Sequence, residues 1–112
     1  MTSLELQEQI AVVEYCDLKR IPIVHITNEG KRSKAMGAML KRAGLRKGFP
    51  DLFVPIPINS AHGLFIELKV GKNKPTPDQK EWISLLNCQG YVAKVCYGFD
   101  EAINTINTYL RG

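Results

Sequence analysis

Apolar and polar positions repeat with two different periods along the chain, and the switches between periods mark out its elements. In residues 4–18, Leu6, Ile10, Val12 and Val13 recur at helical spacing, which predicts a helix with those four on its apolar side. Pro22 closes that unit, and the run Ile23-Val24-His25-Ile26 predicts a short strand with His25 as a core or structural histidine. The polar stretch TNEGKRSK reads as a loop turning at Gly30. Ser33 is placed to cap a helix reaching about residue 42, with Met36, Met39 and Leu40 turned inward. After the loop GLRKGFP come two strand-like runs, DLFVPI and GLFIELKV. Thr76, Pro77 and Gln79 then spell a capping box with proline at the first helical position. The helix they open carries Trp82, Leu85 and Leu86 on one face and stops at Gly90. YVAKVCY predicts a strand, and Phe99, Ile103, Ile106 and Leu110 predict a closing helix. The order α-β-α-β-β-α-β-α describes an α/β domain with a sheet of about four strands.

Two of the strands carry charges where a core prefers none. Side chains alternate faces along a strand, so Leu64, Ile66, Leu68 and Val70 share the core face while Phe65, Glu67 and Lys69 share the other. In the preceding run, Leu52, Val54 and Ile56 face the core and leave Asp51 and Phe53 opposite. If the two strands are neighbours, Asp51, Glu67 and Lys69 converge on one side of the sheet. Two adjacent carboxylates repel and resist ionising together. A divalent cation removes that conflict, and hard oxygen donors suit Mg²⁺, with Mn²⁺ able to substitute. A lysine beside such a metal can orient water or offset charge on a phosphate. Glu-x-Lys alone is common on surface strands and Pro-Asp alone is a turn signal; their succession on matching faces points to metal-assisted phosphodiester hydrolysis.

Composition narrows the class. The 112 residues suit one domain spanning residues 1–112, with 45% hydrophobic and 23% charged residues. A formal charge of +4 and a pI near 9.1 favour an anionic partner. Cys16, Cys88 and Cys96 form no C-x-x-C pair and are odd in number, which argues against a disulfide framework or structural zinc; Cys88 and Cys96 read as core thiols. No apolar run approaches the roughly 18 residues that cross a bilayer and no signal peptide opens the chain, so a cytoplasmic protein, with no membrane partner, is expected.

Gly48-Phe49-Pro50-Asp51 followed by Glu67-Leu68-Lys69 resembles the PD-(D/E)xK nucleases. More closely, the chain resembles their VRR-NUC branch, the virus-type replication-repair nucleases, among which are small stand-alone phage proteins. The likeness extends through NEGKRS, GLRKGFPDL, GLFIELK, GKNKPTPDQ and GYVAKVCYG. It implies a restriction-endonuclease-like fold, a mixed central sheet flanked by helices. It also implies that Asp51 and Glu67 hold the metal, that Lys69 is the catalytic lysine and that Gln79 supports the site. The family carries a further glutamate on its first helix, with a glutamine four residues on. Glu5 with Gln9 fits that spacing, so the resemblance implies Glu5 as a further catalytic residue and metal ligand, with Glu8 as the alternative.

The implied activity is endonucleolytic cleavage of DNA that leaves a 5′-phosphate and a 3′-hydroxyl. The resemblance further implies likeness to Holliday-junction resolvases that act as homodimers, an arrangement that suits the two symmetric cuts a two-fold four-way junction needs. A flap or nick nuclease and a non-catalytic DNA-binding module of the same fold are the competing readings. Lys72 and Lys74 leave the Glu67–Lys69 strand directly and are the first candidates for phosphate contacts, with Lys31, Arg32, Arg46 and Lys47 behind them. Lys41 and Arg42 read equally well as a solvated basic helix face.

Overall fold

The computed structural model describes residues 3–26 and 33–112. Helix α1 spans Ser3–Leu18, strand β1 Val24–His25, helix α2 Lys34–Arg42, β2 Leu52–Val54, β3 Leu64–Lys69, α3 Pro77–Cys88, β4 Val92–Tyr97 and α4 Gly98–Arg111. The element order is the one expected from the apolar periods. The four strands form one sheet in the order β1-β2-β3-β4. β2 runs antiparallel to both β1 and β3, and β4 joins β3 in parallel with α3 as the crossover.

Strand β2 is short because prolines bracket it. Pro50 and Pro55 have no N–H to give a ladder, so pairing is confined to Leu52, Phe53 and Val54, opposite Ile66, Phe65 and Leu64. Alternation then sorts the side chains onto two faces. Leu52, Val54, Leu64, Ile66, Leu68 and Cys96 pack against α1 and α4 through Val12, Cys16, Ile103 and Ile106. Phe53, Phe65 and Ala93 pack on the other face with Ile83 and Leu86 of α3 and with Phe49. Because helices cover both faces, every residue of β3 is buried, the acid and the base included.

Several expected orientations are overturned. The inward residues of α1 are Glu5, Gln9, Val12 and Cys16, while Leu6 and Ile10 are exposed. Leu6 and Ile10 follow Glu5 and Gln9 by one residue, about 100° round the helix, so turning the acid inward turns them out. Leu85 is likewise exposed beside the buried Leu86, and Cys88, expected in the core, lies exposed at the end of α3. His25 is not a core residue: β1 is an edge strand and both of its residues are exposed. Helix α2 is capped as expected, with Ser33 Oγ accepting from Met36 N at 3.1 Å. Yet Met36 and Met39 face outward, and only Leu40 is half-buried.

Candidate active site

The segment 48–51 is built to hold Asp51 still. Gly48 has φ +85°, and a Cβ there would lie 2.8 Å from the Asp78 backbone, so only glycine lets this turn press on the first turn of α3. Phe49 meets Phe65 and Trp82 edge-on, with ring centroids 5.3 and 5.0 Å apart. Trp82 Nε1 donates to Lys47 O at 3.2 Å, which ties α3 to the turn a second time. Pro50 is fully buried and ends the β2–β3 ladder. One residue beyond the last ladder pair, the Asp51 carboxylate takes over as acceptor: Leu68 N donates to its Oδ2 at 3.0 Å. The Asp51 carbonyl meanwhile accepts from Ile26 N at 2.7 Å and, in the Nδ1–H tautomer, from His25 at 3.1 Å. Backbone and side chain are thus fixed from both neighbouring strands.

Glu67 comes to Asp51 across the pleat. The two are 2% and 5% exposed, and their carboxyl groups are hydrogen-bonded to each other. Burial above all, then the charge of Asp51 and the bond to it, push the Glu67 carboxyl up to about 9; Lys69 acts in the opposite sense and Glu5 adds to the rise. Lys69 Nζ stands 3.7 Å from Glu67 Oε2. Gln79 Nε2 donates to the same oxygen at 3.3 Å. The Gln79 amide works at both ends, since its Oε1 accepts from Thr76 N at 2.9 Å to close the expected capping box. The helix cap therefore aims the amide at the acid.

The two glutamates of α1 lie in different places. Glu5 is buried and close enough to Glu67 to act on its charge. Glu8 Oε1 accepts from Phe99 N at 3.1 Å and caps the start of α4. Of the two candidates, the geometry brings only Glu5 to the Asp51–Glu67 pair. Among the described residues, no three His, Cys, Asp or Glu side chains draw together tightly enough to cage a metal alone. Magnesium does not require such a cage, because it keeps several waters and is commonly held by one or two carboxylates with phosphate oxygens. The residues fit such an ion. Two hard carboxyl oxygen donors face each other where a cation would relieve their repulsion, and Gln9, one turn from Glu5 on the same buried face, has an Oε1 with no hydrogen-bond partner.

Asp51, Glu67 and Gln79 open onto a cleft of about 480 Å³ rimmed by Lys41, Arg46 and Lys47. Arg46 Nη1 donates to Lys41 O at 2.9 Å, which stiffens that rim, and Lys47 pairs loosely with Asp78 at 3.7 Å. Lys41, left open between phosphate contact and solvated charge, is thus placed at the mouth of the cleft. Lys72 and Lys74 are exposed on the turn after β3 and do not line it; Lys31 and Arg32 lie outside the described residues. A second cleft of about 500 Å³, between α4 and the 58–61 loop, gathers no acid pair. The supporting roles of Gly48 and Trp82 had only one signal in the sequence, a glycine two residues before Pro-Asp. Nothing local announces an indole reaching a carbonyl 35 residues away.

Known proteins place this arrangement. No curated protein matches the chain. A solved structure described as a VRR_NUC domain protein superposes with a TM-score of 0.83 at 32% identity, over 99% of this chain and 91% of the other. A second, described as a VRR_NUC domain, gives a TM-score of 0.65 at 21% identity over 96% and 99%, a likeness of fold alone. The family model of the VRR-NUC domain matches residues 4–100, from the helix that carries Glu5 to the start of α4. The buried acids, the lysine and the mixed sheet beneath them therefore sit in a nuclease-type fold, and the chain belongs to the VRR-NUC domain family.

Proposed function

We propose that this chain is a Mg²⁺- or Mn²⁺-dependent endonuclease that cuts branched DNA, with the four-way junction as its substrate, and that it acts as a homodimer. The observation that carries the reading is the buried Asp51–Glu67 pair, bonded carboxyl to carboxyl at the floor of a cleft with a basic rim. An acid pair facing a polyanion is a cost to a protein that only binds DNA. Bound Mg²⁺ or Mn²⁺ supplies Lewis-acid stabilisation of charge on the phosphate and a more acidic water. Asp51 and Glu67 would hold that ion through their carboxylate oxygens. Lys69 Nζ orients the attacking water and offsets charge on the scissile phosphate. Gln79 is a positioning residue, because it grips the Glu67 oxygen that Lys69 also faces. Lys41, Arg46 and Lys47 hold flanking phosphates. Two chains supply the two symmetric cuts that a junction needs.

The test is a labelled panel of four-way junctions, flaps, nicked duplexes and plain duplexes, incubated with Mg²⁺ and with excess chelator. Paired nicks across the junction, dependent on metal and ending in 5′-phosphates, are expected. Full cleavage in chelator overturns the metal mechanism, and faster cutting of flaps than of junctions overturns the substrate assignment.

A further inference from the structure

Helix α2 differs from the other three helices in burying none of its residues. Met36 and Met39 are 46% and 60% exposed, and their i, i+3 spacing sets them on one ridge. The charged residues of the helix are all basic: Lys34, Lys41 and Arg42 are exposed and no acid accompanies them. Its C-terminal end runs straight into the candidate active site, because Lys41 and Leu45 line the same cleft as Asp51 and Glu67. An apolar ridge between cations therefore projects from the mouth of the cleft.

Charge decides what can cover that ridge. Two copies of α2 packed together would confront cations with cations, with no acid on either helix to relieve them. A polyanion that also offers apolar faces fits both features. Continuous duplex hides its base faces in the stack, whereas a branch point exposes them. Methionine suits such a surface, since its flexible thioether adapts to flat rings and sulfur–aromatic contacts are favourable. Apolar side chains inserted at base steps are a known way for proteins to unstack and bend DNA.

We infer that α2 is a wedge for branched DNA: the Met36–Met39 ridge packs against unstacked bases at the branch point, and Lys34, Lys41 and Arg42 hold the phosphates beside it. This rests on the reading of the chain as a nuclease for branched DNA and adds the element that senses the branch.

The test measures binding with the Glu67→Gln chain, so that no strand is cut. Junctions carry 2-aminopurine either at the branch or within an arm. Met36→Gln/Met39→Gln should weaken junction binding roughly tenfold, as expected for losing one apolar contact of side-chain size. It should leave plain-duplex affinity and the salt slope unchanged, since no phosphate contact is lost. The fluorescence rise at the branch position should disappear with it. Met36→Leu/Met39→Leu should restore both signals. Circular dichroism checks the fold, which neither pair should disturb because the helix buries nothing. Unchanged affinity and fluorescence in the Gln pair overturns the wedge, as does an equal loss on junction and duplex. So does failure of the Glu67→Gln chain to bind junctions at all. Sedimentation covers the remaining occupant: conversion of a dimer to a monomer by the Gln pair makes α2 a contact between copies and also overturns it. If the wedge results hold while the unmodified chain shows no metal-dependent cleavage, only the nuclease reading fails.

Discussion

Leu64, Phe65 and Ile66 form the first half of β3, and Glu67, Leu68 and Lys69 form the second. Both halves are buried, and on both the odd-numbered side chains lie on the face covered by α3. In the first half that cover is apolar, with Phe65 stacked on Phe53 at 4.3 Å and packed near Leu86. In the second half it is polar: Gln79, Asp51 and Lys69 surround the Glu67 carboxyl. Burial therefore does not separate core from site in this strand. What separates them is whether the buried group is met by carbon or by donors, acceptors and charge. The apolar half contributes transfer free energy and packing. The charged half contributes little net stability, because desolvation offsets the attraction between partners.

The widest split between the halves should appear in activity. Asp51→Asn, Glu67→Gln and Lys69→Ala should each lower junction cleavage by on the order of 10³-fold or more, the scale of losing a preorganised charge-stabilising group. In metal-free buffer, Asp51→Asn and Glu67→Gln should melt at or above the wild-type temperature. Single-turnover cleavage and calorimetry on the same preparations check both halves of that statement, and near-normal turnover from any one variant removes its residue from the role.

The apolar half should behave in the opposite way. Ile66→Ala leaves a cavity between the sheet and α1 and α4, and should cost about 2–5 kcal/mol of stability. Cleavage per folded molecule, measured well below its melting temperature, should stay within a few-fold of wild type. A loss of turnover comparable to that of Glu67→Gln would mean the two halves are not separable.

Acidity sharpens the contrast further. The Glu67 carboxyl has a folded-state pKa of about 9 against 4.5 for the unfolded chain, so the fold favours its protonated form. That contribution is complete below about 4.5, declines as pH rises and is gone once pH passes about 9. Metal-free protein should thus lose stability from pH 5 to pH 9, by at most about 1.4 kcal/mol per pH unit for one proton. Glu67→Gln should remove the slope, and Mg²⁺ should stabilise the wild type more at high pH than at low. Glu5→Gln should move the midpoint down, because Glu5 raises the Glu67 value, whereas Glu8→Gln, at the start of α4, should leave it in place. Melting curves across pH for the four chains decide this.

The smallest effect should come from charges outside both halves. Lys72→Ala/Lys74→Ala should weaken junction binding and reduce the slope of log K against log salt by up to about two, near one per phosphate contact. Turnover at saturating DNA should barely change. An unaltered slope would place this turn outside the DNA footprint and leave Lys41, Arg46 and Lys47 at the cleft as the electrostatic grip.

Much of this was legible along the chain. Alternation in residues 52–56 and 64–70 correctly sorted the two faces of the sheet, since a strand's period is a property of its own backbone. The Thr76–Gln79 cap formed as read because its partners are three residues apart. The order Pro-Asp, Glu-x-Lys, Gln named four side chains that the fold brings together. Periodicity failed for α1, where the rule that apolar residues face inward turned Leu6 and Ile10 to the core. The rule holds for α4, whose Ile103 and Ile106 meet carbon, and breaks in α1, where Glu5 and Gln9 take inward positions.

Element order, strand faces, helix caps and the residues able to do chemistry are local properties, determined by side-chain type and spacing. Tertiary structure alone decided that α3 would cover the second face and bury Glu67 and Lys69, that Gly48 would press on Asp78, and that Gln79 would reach from its helix cap to an acid on β3. Those outcomes depend on surfaces that come from distant stretches of chain. A residue's environment, and with it the acidity of Glu67, exists only once those surfaces have met.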